Sequence, residues 1–254
     1  MCGRYVLHGP KSRIIVGFSV RELPPFTPRY NIAPTTDVIT ILIGRSGERI
    51  ARTMRWGLVP GWAKDPAIGA KLNNARADTI EQKPAFRNAF RRFRCILPAN
   101  GFYEWRAASQ PKARKQPFYI HPPDTDGLFA MAGLMERWNG PDGPLYTCCV
   151  ITTDANRVMA PIHDRMPVLL QPSQFDAWLD PHNDDAEGLK AMLLPATPDA
   201  IAVHAVDPAV NQARNEGEHL IEPLPPGQDP ANADVENPPP PREGDTLAPE
   251  DPLR

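Results

Sequence analysis

The sequence predicts an α+β fold: a single domain with a mixed or antiparallel sheet curled into a β-barrel-like core and a few peripheral helices. Three observations point there. Short β-branched or aromatic runs recur from Asp37 to Ala205, many of them bounded by Pro, Gly or Asn. Helical periodicity is confined to a few stretches between them. The 254 residues, 41% hydrophobic and 23% charged, suffice for one substantial core.

In chain order, strands are expected at Asp37–Ile43, Arg52–Leu58, Arg94–Pro98, Gly101–Trp105, Gln116–His121, Phe129–Leu134, Tyr146–Thr152, Arg165–Leu170 and Ala200–Ala205. A helix is expected from Pro84 to Phe93, where Phe86, Phe90 and Phe93 share one face and Pro suits the first turn. Ser173 to Leu179 reads as a second helix capped by Ser173, and Asp184 to Leu194 as a third. From Gly227 onward large apolar residues are scarce and prolines frequent, including the run Pro238 to Pro241, so residues 225–254 are expected to form a disordered acidic tail behind a 2–224 domain.

Net charge is −2 overall, but eight acidic and two basic residues lie from Glu222 onward, leaving residues 1–221 at about +4. A mildly basic body permits local phosphate binding and does not require it. No apolar run is long enough for a transmembrane helix, and Met1-Cys2-Gly3-Arg4-Tyr5 lacks the apolar stretch of a signal peptide. Cys2, Cys95, Cys148 and Cys149 have no metal-ligand spacing, which points to free thiols, no metal and a reducing, cytoplasmic setting.

Cys2 is the first candidate for chemistry. Removal of Met1, which aminopeptidase favours ahead of a small residue, exposes an α-amine and a thiol on adjacent carbons. Their reference pKa values, about 7.7–8.0 and about 8.5, leave both partly deprotonated near neutrality. The amine condenses with an aldehyde to an imine, and the thiol then closes a thiazolidine. A chance residue at a frayed terminus is the alternative.

Five further segments carry candidate catalytic or binding groups. Asn73 to Asp78 reads as a loop presenting amides and the Arg76 guanidinium, or as a helix start capped by Asn74 or Asp78. In Phe102-Tyr103-Glu104-Trp105, alternation puts Glu104 on the Phe102 face; a carboxylate in apolar surroundings is a usable general acid, and an edge-strand Glu in water is the alternative. His163, in Ile162-His163-Asp164-Arg165-Met166-Pro167, precedes a strand and titrates near working pH. Trp56 reads as core and Trp62 as a platform for unpaired bases. The helix bearing Arg87, Arg91, Arg92 and Arg94 reads as a solvated basic face or a DNA contact.

Met1 to Tyr5, Arg29-Tyr30-Asn31-Ile32-Ala33-Pro34, Trp56 to Pro60, Asn74 to Thr79, Gly101 to Trp105 and His163 to Pro167 together resemble the SRAP family, the SOS-response-associated peptidases, also described as abasic-site processing proteins. Val210-Asn211 to Glu216-Gly217 matches in character, and the resemblance spans about residues 2–224. It implies a groove for single-stranded DNA and a thiazolidine between Cys2 and a ring-opened abasic site. In that scheme Cys2 is the nucleophile, Asn74 positions it, Glu104 is the acid/base and His163 the second proton-transfer group. Arg4, Arg76, Arg165 and the Asn31–Pro34 loop would hold phosphates, with Trp62 near the DNA. The implied partner is single-stranded DNA containing abasic sites, bound by a monomer without membrane, metal or cofactor. Members often have Glu where this chain has Asp78. A cysteine peptidase using Cys2 with His163 or Glu104, and a non-covalent single-strand binder, are the competing readings.

Overall fold

A computed structural model describes residues 2–107 and 114–225, so the expected tail falls outside the described residues apart from its first position. In chain order the elements are β1 (Tyr5–Leu7), α1 (Lys11–Phe18), β2 (Arg29–Ile32), β3 (Asp37–Ile43), β4 (Arg49–Trp56), β5 (Asn74–Arg76), α2 (Arg87–Arg92), β6 (Arg94–Ala99), β7 (Gly101–Arg106), β8 (Gln116–His121), β9 (Phe129–Gly140), β10 (Gly143–Asp154), β11 (Arg165–Pro167), α3 (Phe175–Leu179), α4 (Ala186–Ala191) and β12 (Ala202–Ala205).

The expected barrel is present. Strands β10, β4, β3, β6 and β9 pair in that order, and β9 pairs back onto β10, which closes the ring. Closure removes the open edges that a sheet otherwise leaves unpaired. Ile41, Met54, Ile96, Leu97, Met131, Leu134 and Val150 are fully or almost fully buried on these strands. The second sheet, β12-β8-β7-β1-β2, is antiparallel at every pairing. Asn100 alone separates β6 from β7, so one nearly continuous strand passes from barrel to second sheet. Its buried side chain marks the corner: Asn100 N–H donates to Val6 O (2.8 Å) and Asn100 Oδ1 accepts from His8 N–H (2.7 Å).

A split in the barrel wall creates the site. β9 and β10 stay paired as far as Gly133↔Val150 and then part. The chain of β11 enters the gap, with Val168 N–H on Ile151 O (2.9 Å) and Ala132 N–H on Val168 O (2.9 Å). On the other edge of β10, the parallel strand β5 places Asn74 beside Val150 and Arg76 beside Thr152. The turn before it depends on a close backbone approach. Gly57 has φ +134°, and a Cβ there would lie 2.6 Å from Gly69 O.

Several expected elements differ in extent or kind. β4 begins at Arg49 because the tight Gly44–Glu48 turn, with Gly44 N–H on Glu48 O (2.8 Å), pairs Arg49 with Ile43. α2 spans only Arg87–Arg92; Phe86 and Phe90 are buried, but Phe93 is 41% exposed because the helix ends before it. Ser173 caps nothing: Gln171 and Gln174 form a reciprocal capping box around a 3-10 turn, and the α-helix starts at Phe175. Asn74 and Asp78 are not helix caps either, since Asn74 lies in β5 and the 3-10 turn at Ala77–Thr79 has no side-chain cap. Arg94 is not part of a solvated basic face. It is buried, and its guanidinium donates to the carbonyls of Trp178, Phe90, Arg91, Asp180 and Asn183. No helix among the described residues is long and apolar enough to cross a membrane.

Candidate active site

The register between β1 and β7, Tyr5 opposite Phe102, continues with Tyr103 N–H on Arg4 O (2.9 Å) and lays the Cys2 end alongside Glu104. From the other side, Asn74 Nδ2 donates to the Cys2 carbonyl at 2.7 Å. Asn74 Oδ1 is buried and makes no hydrogen bond among the described residues. Trp56 is core, as expected; its indole N–H holds Asn73 O (2.9 Å) and its ring meets Tyr5 edge-on at 5.3 Å, linking β1 to the Asn74 segment.

Cys2 differs from the exposed amino-thiol that its position implies. With Met1 attached its side chain is fully buried, and burial, reinforced by the negative charge of Glu104, pushes the thiol far above the usual range. The thiol is therefore protonated at neutral pH. The charge of the chain's amino terminus acts on Cys2, Glu104 and His163 alike.

Glu104 is the buried carboxylate, not an edge residue in water: 2% exposed, on the central face of the second sheet. Burial raises it from 4.5 to about 7, against the lowering effect of the amino terminus and the Trp105 N–H. A carboxyl so placed is populated in both protonation states near neutrality, which suits it to give and to take a proton.

His163 Nε2 stands 4.0 Å from Glu104 Oε2, beyond direct hydrogen bonding. Its backbone is fixed by the turn after β10, with His163 N–H on Met159 O (2.9 Å). Burial is the main cause that lowers the imidazole, and the amino terminus adds to it. Asn156 organises this turn, accepting from Val158 and Met159 N–H (both 3.0 Å) and donating to Ala196 O (2.9 Å). Asn156 is absent from the candidates above; an Asn two residues past the end of a strand is the signal for such a turn.

The remaining candidates divide. Trp62 is 62% exposed and shares a groove of about 400 Å³ with Leu72, Asn74, Arg76, Pro84 and Phe86. Arg76 is half-exposed and paired with Asp78 by two bonds (3.1 and 2.7 Å), so the Asp at this position partly neutralises it. Arg165 is buried, held by Asp154 and the Thr152 carbonyl (2.7 Å). Arg4 donates to Asn31 Oδ1 (2.7 Å) and Val210 O (2.9 Å) and lies over the Trp105 ring. Asn31 is 1% exposed, its amide spent on Val210, Gln212 and Asn215 carbonyls (3.0–3.2 Å), so it pins the 210–215 segment. Pro34 is half-buried beside Thr35, whose N–H reaches Trp56 O (2.7 Å). Among the described residues, no three His, Cys, Asp or Glu side chains gather as metal ligands.

The family model described as SOS response associated peptidase (SRAP) matches residues 1–213, most of the chain. The chain belongs to the SRAP family. The SRAP relatives include the "Abasic site processing protein YoqW" of Bacillus subtilis, 43% identical over 226 residues, covering 87% of this chain and 99% of YoqW. The "Abasic site processing protein HMCES" of Xenopus tropicalis is 33% identical over 220 residues, covering 75% of this chain and 64% of HMCES. A solved structure from Bacteroides thetaiotaomicron superposes with TM-score 0.76 at 24% identity, covering 88% of this chain and all of that one, which establishes the shared fold. A Bordetella bronchiseptica structure gives 0.71 at 26%, covering 81% of this chain and all of that one.

Proposed function

We propose that this SRAP protein senses abasic sites in single-stranded DNA and, once Met1 is removed, captures them through Cys2 as a thiazolidine. The observation that carries this reading is the convergence of Asn74, Glu104 and His163 on the Cys2 end. Kinship with proteins named for abasic-site processing supports the substrate class.

The chemistry follows from the protonation states. An abasic sugar exists mainly as a closed hemiacetal, and proton transfer by His163 or Glu104 opens it to the aldehyde. The Cys2 amine attacks C1′ and a proton from Glu104 helps water to leave, giving an imine. The thiol then adds across the C=N bond, sulfur to carbon and hydrogen to nitrogen, closing the five-membered ring. The thiol, held buried and protonated while Met1 is attached, fits this order if it stays so in the mature chain: it is unreactive until the imine holds the electrophile against it. The same burial weakens the peptidase reading, which needs a thiolate or a thiol paired with its base. Asn74 anchors the Cys2 carbonyl while the amine and thiol react.

Intact mass of the mature protein incubated with an abasic single strand tests this. The expected adduct equals protein plus DNA less one water, survives heating, and is absent with intact DNA. With Cys2→Ala the amine still forms a labile imine, but the heat-stable adduct disappears. A heat-stable adduct from Cys2→Ala overturns the thiazolidine; equal binding of intact and abasic strands with no adduct returns the protein to a simple binder.

A further inference from the structure

His163 Nδ1 has two neighbours that make opposite demands. The backbone N–H of Arg165 donates to it at 3.0 Å, which requires a lone pair there. The Asp164 carboxylate lies 2.8 Å away, which requires a proton there. A single ring nitrogen satisfies one at a time. The two partners differ in freedom. Arg165 is the first residue of β11, its position set by pairing with Asp154, and Ala155 N–H on Asp164 O (3.0 Å) fixes the backbone between. The Asp164 side chain is 85% exposed, which leaves it room to turn away from the ring.

We infer that Asp164 is a positioning residue for His163, its movable carboxylate selecting whether the imidazole presents a proton or a lone pair towards Glu104. With Asp164 swung away, Nδ1 accepts from Arg165 and the neutral ring carries its proton on Nε2, aimed at Glu104. With Asp164 engaged, Nδ1 bears the proton, and Nε2 is either a proton acceptor or the second N–H of an imidazolium. Capture of an abasic site requires both behaviours in turn, acid for ring opening and base afterwards, and an exposed carboxylate supplies them without moving the backbone. The inference rests on the proposed reaction for its purpose, though not for its geometry.

Other charges share the site. Glu104 faces His163 from β7, the amino terminus and Lys115 act on it from outside its own segment, and Asp164 acts also on Arg76 and on Glu104. Removal of the Asp164 charge therefore lowers His163 and Glu104 together. Because Asp164 is exposed, Asp164→Ala is expected to fold normally.

Nitrogen-15 shifts of His163 in DNA-free protein read the tautomer directly. Wild type is expected to show both neutral tautomers, Asp164→Ala only the Nε2–H form with titration at lower pH, and Asp164→Asn an intermediate tautomer ratio because its amide oxygen still accepts from Nδ1–H. In the cross-linking assay, Asp164→Ala should move the pH profile to lower pH and slow capture severalfold near neutrality, with partial rescue by Asp164→Asn. Coincident tautomer ratios and titrations in all three proteins overturn the inference. So does a loss of cross-linking with an unshifted pH profile, which would mark Asp164 as a DNA contact. If wild type forms no adduct, the functional reading fails, while the nitrogen shifts still decide the role of Asp164.

Discussion

Glu104→Gln should inactivate the protein and at the same time make it more stable at alkaline pH. In the folded chain the carboxyl sits near 7 instead of 4.5, burial being the main cause. The sign follows from proton counting. Between about pH 4.5 and about pH 7 the folded state holds a proton that the unfolded state has released, so stability from this residue is greatest below the unfolded value and is lost as pH rises through the folded one. A displacement of about 2.5 units at ~1.4 kcal/mol per unit gives about 3 kcal/mol lost between acid and alkali. Gln carries no titrating proton, so the difference in unfolding free energy between variant and wild type should rise by about 3 kcal/mol from about pH 4 to about pH 9. Titrating groups that do not interact with Glu104 cancel in that difference, as does the fixed cost of burying an amide for a carboxyl. Urea unfolding followed by tryptophan fluorescence measures it, with the buried Trp56 and Trp178 as reporters. A difference flat across that pH range would mean that Glu104 titrates like a carboxylate in water, and the acid/base role assigned to it would lose its physical basis.

Three other outcomes are expected. Asn74→Ala removes the bond to the Cys2 carbonyl, costing about 1 kcal/mol in urea unfolding. It should slow adduct formation far more than that loss of stability would, as read by a gel-based time course. Asn31→Ala removes three bonds to the carbonyls of the 210–215 segment and one of the acceptors of Arg4, and should cost about 2–4 kcal/mol by the same unfolding measurement. A purely phosphate-binding Asn31 would leave stability unchanged and weaken only DNA binding. Gly57→Ala meets Gly69 O at 2.6 Å in a backbone conformation suited to glycine, and should lower stability by about 2 kcal/mol or more in thermal unfolding.

What the sequence made legible followed burial. The barrel strands were visible because runs such as Asp37–Ile43 and Phe129–Leu134 are buried over most of their length. The outer ends of β9 and β10, Glu136–Gly140 and Gly143–Leu145, are at most half-buried and carry only the isolated apolar residues Trp138 and Leu145; their pairing makes them strands. β1, β2 and β5 are three or four residues long, below the length at which alternation can be read. α1 has no side-chain cap and no acidic residue in its first turn, so the usual marks of a helix start are missing.

The site was legible as residue types and illegible as distances, and the arginines show why. The family resemblance makes Arg4, Arg76 and Arg165 equivalent phosphate ligands, yet only a folded chain assigns each its partners. Arg165 is spent on Asp154 and a strand carbonyl, and Arg4 on Asn31 and Val210. Arg76 is the half-exposed one, and it carries its own counter-ion in Asp78. An exposed ion pair is worth little, about 1 kcal/mol or less, so a phosphate can displace Asp78 from Arg76 at small cost. Arg165 is itself buried, so stripping it of Asp154 and the Thr152 carbonyl costs several times more. Phosphate affinity should therefore rest on Arg76, with Arg4 and Arg165 shaping the walls around Cys2 and His163. Asp78, where family members often have Glu, should then act as a brake on this phosphate contact, one that high salt would weaken along with the contact it restrains.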